Sequence, residues 1–236
     1  MSLRVDIWSD IACPWCYVGQ SRFAKGAEAF GEDVEVVWHS YQLDPSLPET
    51  YEGTEIDYLA ERKGLPREQI VAMTAGVEQA ASGEGLPMDF GAVRPANSLK
   101  AHHLLKTIGR HGGDVDAAEH KLFSAHFAQG EVISDVEVLT RIGVESGISA
   151  EQVAEGLADE GIHAEVQQDF DLARQSGVTG VPFFVFGEKY AVSGAQPPEV
   201  FAQALKQTWD ELKPQQKPAL ISVEGEAGEA CGPEGC

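Results

Sequence analysis

A chain of 236 residues suits one large domain or a smaller domain carrying an insertion, and its 43% hydrophobic content supports a core without disulfide staples. Thirty-eight acidic residues against seventeen scattered basic ones leave a formal net charge of −21, which argues against binding to phosphate backbones. No apolar run is long enough to span a bilayer, and the opening MSLRVDIWSD lacks the features of a secretory signal, so a cytoplasmic protein with no membrane partner is expected.

Leu3, Val5 and Ile7 alternate with other residues and predict a short strand. After Pro14 the period changes, and Cys16, Phe23, Ala27 and Phe30 share one helical face. VEVVWHSYQL (34–43) predicts a second strand ending at DPSLP, so the chain opens as a βαβ unit. From about Thr54 to Gln175 the pattern is helical. Ala101, Leu104, Leu105 and Ile108 form one apolar stripe, and Leu122, Phe123 and Phe127 another. SDVE (134–137) and SAEQ (149–152) read as capping boxes, while HGGD and ESGIS break the helices. Strand character returns in VPFFVFG (181–187), where Phe183, Phe184 and Phe186 are most simply core. A turn at 187–189 then leads into YAVSG, predicting a hairpin. Pro197 and Pro198 open a last helix, and from Pro214 the composition shifts to Pro, Gln, Glu and Gly, predicting a mobile tail over 214–236.

The expected fold class is α/β. Segments 1–50 and 177–213 would form a thioredoxin-like core, interrupted by an inserted all-helical domain over 51–176.

Four cysteines in a chain this long do not make a disulfide scaffold. Cys13 and Cys16, in DIACPWCY, stand at a strand-to-helix junction with the spacing of a short, closable disulfide. Cys13 would lie at the helix start, where free N–H groups and the helix dipole favour a thiolate, the attacking species in disulfide exchange. Cys16, almost one turn on, would be the more buried thiol. Pro14 suits the first helical turn because its missing N–H costs nothing there. Asp10 either caps the helix or accepts a proton near Cys16, and capping is the simpler reading.

CPWC after a strand, TGVPFFVF (179–186) far downstream and the helical block between them resemble the DsbA-like branch of the thioredoxin superfamily. PWCYVG, RPANSLKAHHLL and VSGAQPPEVF are similar to its FrnE-like group, over about Leu3 to Leu212. The resemblance implies thiol–disulfide exchange without a cofactor, with Cys13 as nucleophile and Cys16 as resolving thiol. It also implies a cis Val181–Pro182 bond facing the CxxC motif. Pro14, Trp15 and the Val181 backbone would then meet an extended substrate. Implied partners are disulfide-containing or unfolded proteins, with glutathione or a thioredoxin-type reductant as regenerating thiol. Trp15 stands where strongly oxidising relatives carry histidine, so a potential more reducing than the ~−120 mV of DsbA is expected.

Alternatives to that reading are a zinc site completed by Cys231 and Cys236, a holdase, and a glutathione-dependent kappa-class transferase or 2-hydroxychromene-2-carboxylate isomerase. The four-residue gap between Cys231 and Cys236 is unusual for zinc, and the isomerase-type relatives usually carry serine at the first cysteine position. Cys231 and Cys236, in CGPEGC, instead read either as a second redox pair or as inert residues. A coil from Lys213 would reach about 24 Å, enough to visit the first pair. The adjacent His102 and His103 cannot form one clamp, His120 and His126 are poorly spaced for a metal, and His39 carries no assigned role.

Overall fold

The computed structural model describes residues 2–212; Cys231, Cys236 and the segment expected to be mobile lie outside the described residues. Within them run β1 (Leu3–Ser9), α1 (Pro14–Phe30), β2 (Val34–Ser40), α2 (Glu55–Lys63), α3 (Arg67–Gly83), α4 (Leu99–Arg110), α5 (Val115–Phe127) and α6 (Val136–Glu145). There follow α7 (Ala150–Ala158), α8 (Glu160–Gln175), β3 (Phe183–Phe186), β4 (Tyr190–Ser193) and α9 (Pro198–Leu212). The sheet has the order β2-β1-β3-β4. β1 runs parallel to β2 and antiparallel to β3, which joins β4 through a hairpin.

β1 is the centre of the sheet, so both of its faces are covered. Leu3, Val5 and Ile7 point into a core with Phe23 of α1, Phe184 and Phe186 of β3, and Phe201 and Leu205 of α9. On the other face Trp8 packs with Ala173 and Val178, at the end of α8. The helical insertion between β2 and β3 has its own core, in which both expected stripes are buried. That core is continuous with the active-site end of α1 through Ile11, Cys16, Tyr17 and Val18.

Three local expectations are corrected. β2 stops at Ser40 rather than Leu43, because its partner β1 ends at Ser9 and the Asp10 carbonyl turns inward to accept the Cys13 N–H at 2.9 Å. SDVE is not a capping box: the Ser134 hydroxyl donates to the Glu49 carbonyl at 2.5 Å. Asp135 caps α6 instead, accepting from the Glu137 and Val138 N–H groups. SAEQ does form the reciprocal box, at the start of α7. Finally, 84–98 is irregular despite its helical surroundings, since Gly85, Pro87 and Pro95 cannot sustain a helix there.

Candidate active site

The turn 10–12 carries the chain from β1 into α1. Cys13 occupies the N-cap position with no side-chain cap bond, and Pro14 opens the helix. Asp10 therefore does not cap α1. Its carboxylate is fully buried and accepts the Ala12 N–H at 3.1 Å and the Leu43 N–H at 2.7 Å, tying the turn to the segment after β2. The Cys13 sulfur sits at the positive end of α1, where negative charge is favoured.

The Val181–Pro182 peptide bond is cis, and the Cys13 thiol donates to the Val181 carbonyl at 3.6 Å. Pro182 is buried against α1 at Gly19, where an added Cβ would stand 2.8 Å from the proline Cγ. Only a residue without a side chain allows this approach. Both thiols are free. Cys16 lies behind Cys13 with 2% of its surface exposed. Burial first, then the hydrogen bond and charge of Cys13, push its thiol well above the ordinary range, while the Asp10 main chain pulls slightly the other way. The arrangement gives one thiol that lines the cleft and a second, more deeply buried one whose ionisation its surroundings disfavour.

Cys13 opens into a cavity of about 600 Å³ between the thioredoxin core and the insertion. Its walls are largely apolar, from Leu59 of α2, Ile70, Met73 and Val77 of α3, and Phe90 of the irregular segment, with Pro14 and Trp15 at the edge. Trp15 is 41% exposed there. Several ionisable groups also face the cavity, Glu55 and His126 among them. Burial raises Glu55 to about 7, so that it titrates near neutrality, and lowers His126 to about 4, which favours its uncharged form there. Among the described residues, no group of three or more His, Cys, Asp or Glu side chains is placed to hold a metal.

A DSBA-like thioredoxin domain model matches residues 4–206. The chain belongs to that family. A probable DsbA oxidoreductase of Streptomyces coelicolor is 39% identical, with a TM-score of 0.83 and coverage of 99% of this chain and 98% of the other. YwbO of Bacillus subtilis is 25% identical over 210 residues, covering 87% of this chain and 96% of that protein. The cytosolic disulfide reductase DsbM of Pseudomonas aeruginosa is 18% identical with a TM-score of 0.62, covering 89% of this chain and all (100%) of that one, and it also has a structure with glutathione. At that identity the likeness to DsbM is one of fold.

In this DSBA-like domain the Val181 carbonyl and the cis Pro182 lie beside Cys13 at the start of α1, from opposite ends of the sequence. Glu55 and His126 line the cavity beside Cys13 without having been singled out by the sequence. Glu55 reads as an ordinary first-turn acid of α2, and nothing in the sequence marks it as buried. His126 follows Leu122 by four positions, which does place it on the apolar face of α5.

Proposed function

We propose that this chain is a cytosolic protein thiol–disulfide oxidoreductase acting as a disulfide reductase or isomerase, with Cys13 as nucleophile and Cys16 as resolving thiol. The observation that carries the proposal is the pairing of a thiol that lines the cavity, Cys13, with a second thiol, Cys16, that does not reach it and is buried against the first. A glutathione-dependent isomerase has no use for the second. An extended substrate would lie along the Val181 backbone, and its apolar side chains would enter the cavity beside Trp15. The Cys13 thiolate attacks a substrate sulfur, releasing one substrate thiolate and forming a mixed disulfide. Cys16 loses its proton and attacks the Cys13 sulfur. The Cys13–Cys16 disulfide forms, the second substrate thiolate leaves, and two electrons have passed to the substrate. Glutathione is the proposed regenerating thiol, supported by the glutathione complex of the similarly folded DsbM.

Insulin reduction tests the assignment. Cys13→Ser removes turnover, whereas Cys16→Ser accumulates mixed disulfides visible by mass spectrometry. Near-wild-type turnover in Cys13→Ser would overturn it. A holdase would instead keep its anti-aggregation activity when both cysteines are replaced.

A further inference from the structure

Most polar side chains that line the cavity beside Cys13 satisfy one another. Tyr58 donates its hydroxyl to Asp44 at 2.9 Å, and Arg62 meets Asp44 at 2.5 Å and the Leu43 carbonyl at 2.7 Å. Thr74 donates to the Val71 carbonyl at 3.1 Å, and Ser98 bonds Asp10. The carboxyl of Glu55 has no such partner. It stands in the first turn of α2, lines the cavity and is 7% exposed, yet it makes no hydrogen bond to any described residue. Burial is the one influence that moves its titration.

An unpaired carboxyl in an apolar wall is costly, and a ligand that brings it a donor recovers that cost. The surroundings define the donor. Beside the aliphatic Leu59, Ile70 and Val77, Phe90 offers a ring and Met73 a thioether, both of which pack well against aromatic rings. A lysine ammonium would bring a charge and three N–H donors to one isolated carboxyl, and would leave its hydration behind. A phenol or an indole brings a single donor on an apolar body. About 600 Å³ is the size of a small-molecule site, and it holds an aromatic side chain together with the residue beside it. Cys13 lines the same cavity, so the ring belongs to a residue close to the substrate's disulfide.

We propose that Glu55 is a specificity-determining residue: it accepts a hydrogen bond from a tyrosine or tryptophan that adjoins the substrate disulfide and whose ring fills the cavity. The proposal rests on the reductase reading and adds which disulfides that activity favours. Phenylalanine fills the same space but covers the carboxyl without a partner, and this asymmetry is what lets a buried polar group discriminate. The sulfur exchange itself runs through Cys13 and Cys16 as before.

The discrimination depends on the charge of Glu55. Burial raises its titration to about 7, and the ionised carboxylate is both the stronger acceptor and the costlier group to cover with an apolar ring. The preference for tyrosine therefore grows as pH rises through that value. Asp10, Asp44, Tyr58, Arg62, Lys63 and His126 also face the cavity, beside Cys13 itself. From α3 no ionisable group faces it, and Glu78 there accepts the Phe90 N–H at 2.9 Å instead. Burial opposes it, but hydrogen bonds from His102 and from Ser46 hold Asp10 and Asp44 below their usual range. Burial raises Tyr58 and lowers His126 to about 4. These four groups keep their charge between about pH 6 and about pH 8, where Glu55 changes its own.

The test uses the full chain, reduced beforehand, and two peptides with an internal disulfide that differ only in tyrosine or phenylalanine beside one cysteine. The peptides carry the same charge, so the protein's field and the Cys13 thiol act on both alike. Single-turnover rate constants come from acid quench and chromatography of the reduced peptide. At about pH 8 the tyrosine peptide should react on the order of tenfold faster, and the ratio should shrink toward about pH 6. Glu55→Leu should bring the ratio close to one throughout, chiefly by speeding the phenylalanine peptide. Glu55→Gln, which still accepts a hydrogen bond, should keep a preference that no longer varies with pH. A wild-type ratio near one overturns the proposal, as does a ratio that Glu55→Leu leaves intact. A third peptide with lysine at that position, run at about 1 M salt, tests an ammonium as the ligand. If it outruns the tyrosine peptide and loses that lead in Glu55→Gln, the proposal falls. Where a variant does not fold, p-cresol and toluene compete with the peptides on the wild type: p-cresol should inhibit more strongly, and equal inhibition overturns the proposal. Failure of every peptide to react with the wild type would instead overturn the reductase reading beneath it.

Discussion

Gly19 shows how a single hydrogen atom in place of a side chain can position the active site. It brings α1 against the rigid ring of Pro182, 2.8 Å from where a Cβ would stand, and so fixes the Val181 carbonyl beside Cys13. A proline ring cannot swing aside as a lysine tip would. Gly19→Ala should therefore destabilise by about 1–3 kcal/mol through overpacking, although alanine favours helix by ~1 kcal/mol. Reductase kcat/KM should fall with it, because the substrate edge moves away from the thiol. Gly76 in α3 is the control: nothing lies within 4 Å of its hypothetical Cβ, so Gly76→Ala should raise the melting temperature and leave activity alone. Equal melting shifts in the two variants would show that the Pro182 contact does not constrain the helix. The sequence places Gly19 on α1 and Pro182 before β3, but only the packed chain shows that they touch.

At the scale of elements, a buried polar clasp joins the insertion to the sheet. His39 of β2 stacks on Trp8 at 4.5 Å and lies between two carboxylates, with Nε2 2.7 Å from Asp6 and Nδ1 3.0 Å from Asp169 of α8. Asp169 also accepts the Ser40 N–H at 2.7 Å and meets Lys106 of α4 at 2.5 Å. Burial alone would raise the Asp169 carboxyl, but His39 and Lys106 outweigh it and hold it below the usual range. Removing one partner leaves buried charge uncompensated, so Asp169→Asn should cost about 3 kcal/mol in chemical denaturation at neutral pH. The sign of its pH dependence follows from a depressed folded pKa. The stabilisation is present above the unfolded value of about 4 and is lost as pH falls through the folded one. The gap between wild type and variant should therefore close in acid, and a gap constant with pH would place the cost in shape rather than charge. The element order and the CxxC junction were legible because period, capping and proline placement are local signals. This clasp was not, since His39 and Asp169 become partners only when α8 covers the sheet.

For the whole molecule the dominant long-range term is charge. A formal net charge of −21 surrounds a cavity whose walls are mostly apolar, so encounter and binding answer to different forces. Local cations at the mouth do little to reverse the field: Arg62 is held by Asp44 at 2.5 Å and by the Leu43 carbonyl at 2.7 Å, leaving Lys63 nearby. A summed negative potential draws cationic chains and repels acidic ones before any contact forms. Once a chain is docked, backbone pairing along Val181 and apolar burial carry no such preference. Two peptides with the same disulfide and apolar residues, one flanked by lysines and the other by glutamates, should therefore differ in kcat/KM by roughly tenfold at low ionic strength, with the basic one faster. Their kcat values should be alike, because the charges act on approach rather than on sulfur chemistry. Near 1 M salt, where the screening length is ~3 Å, the two kcat/KM values should converge. A preference that survives high salt would instead place the discrimination in direct contacts at the cavity mouth, with Asp44 and Glu55 as the carboxyls to replace next.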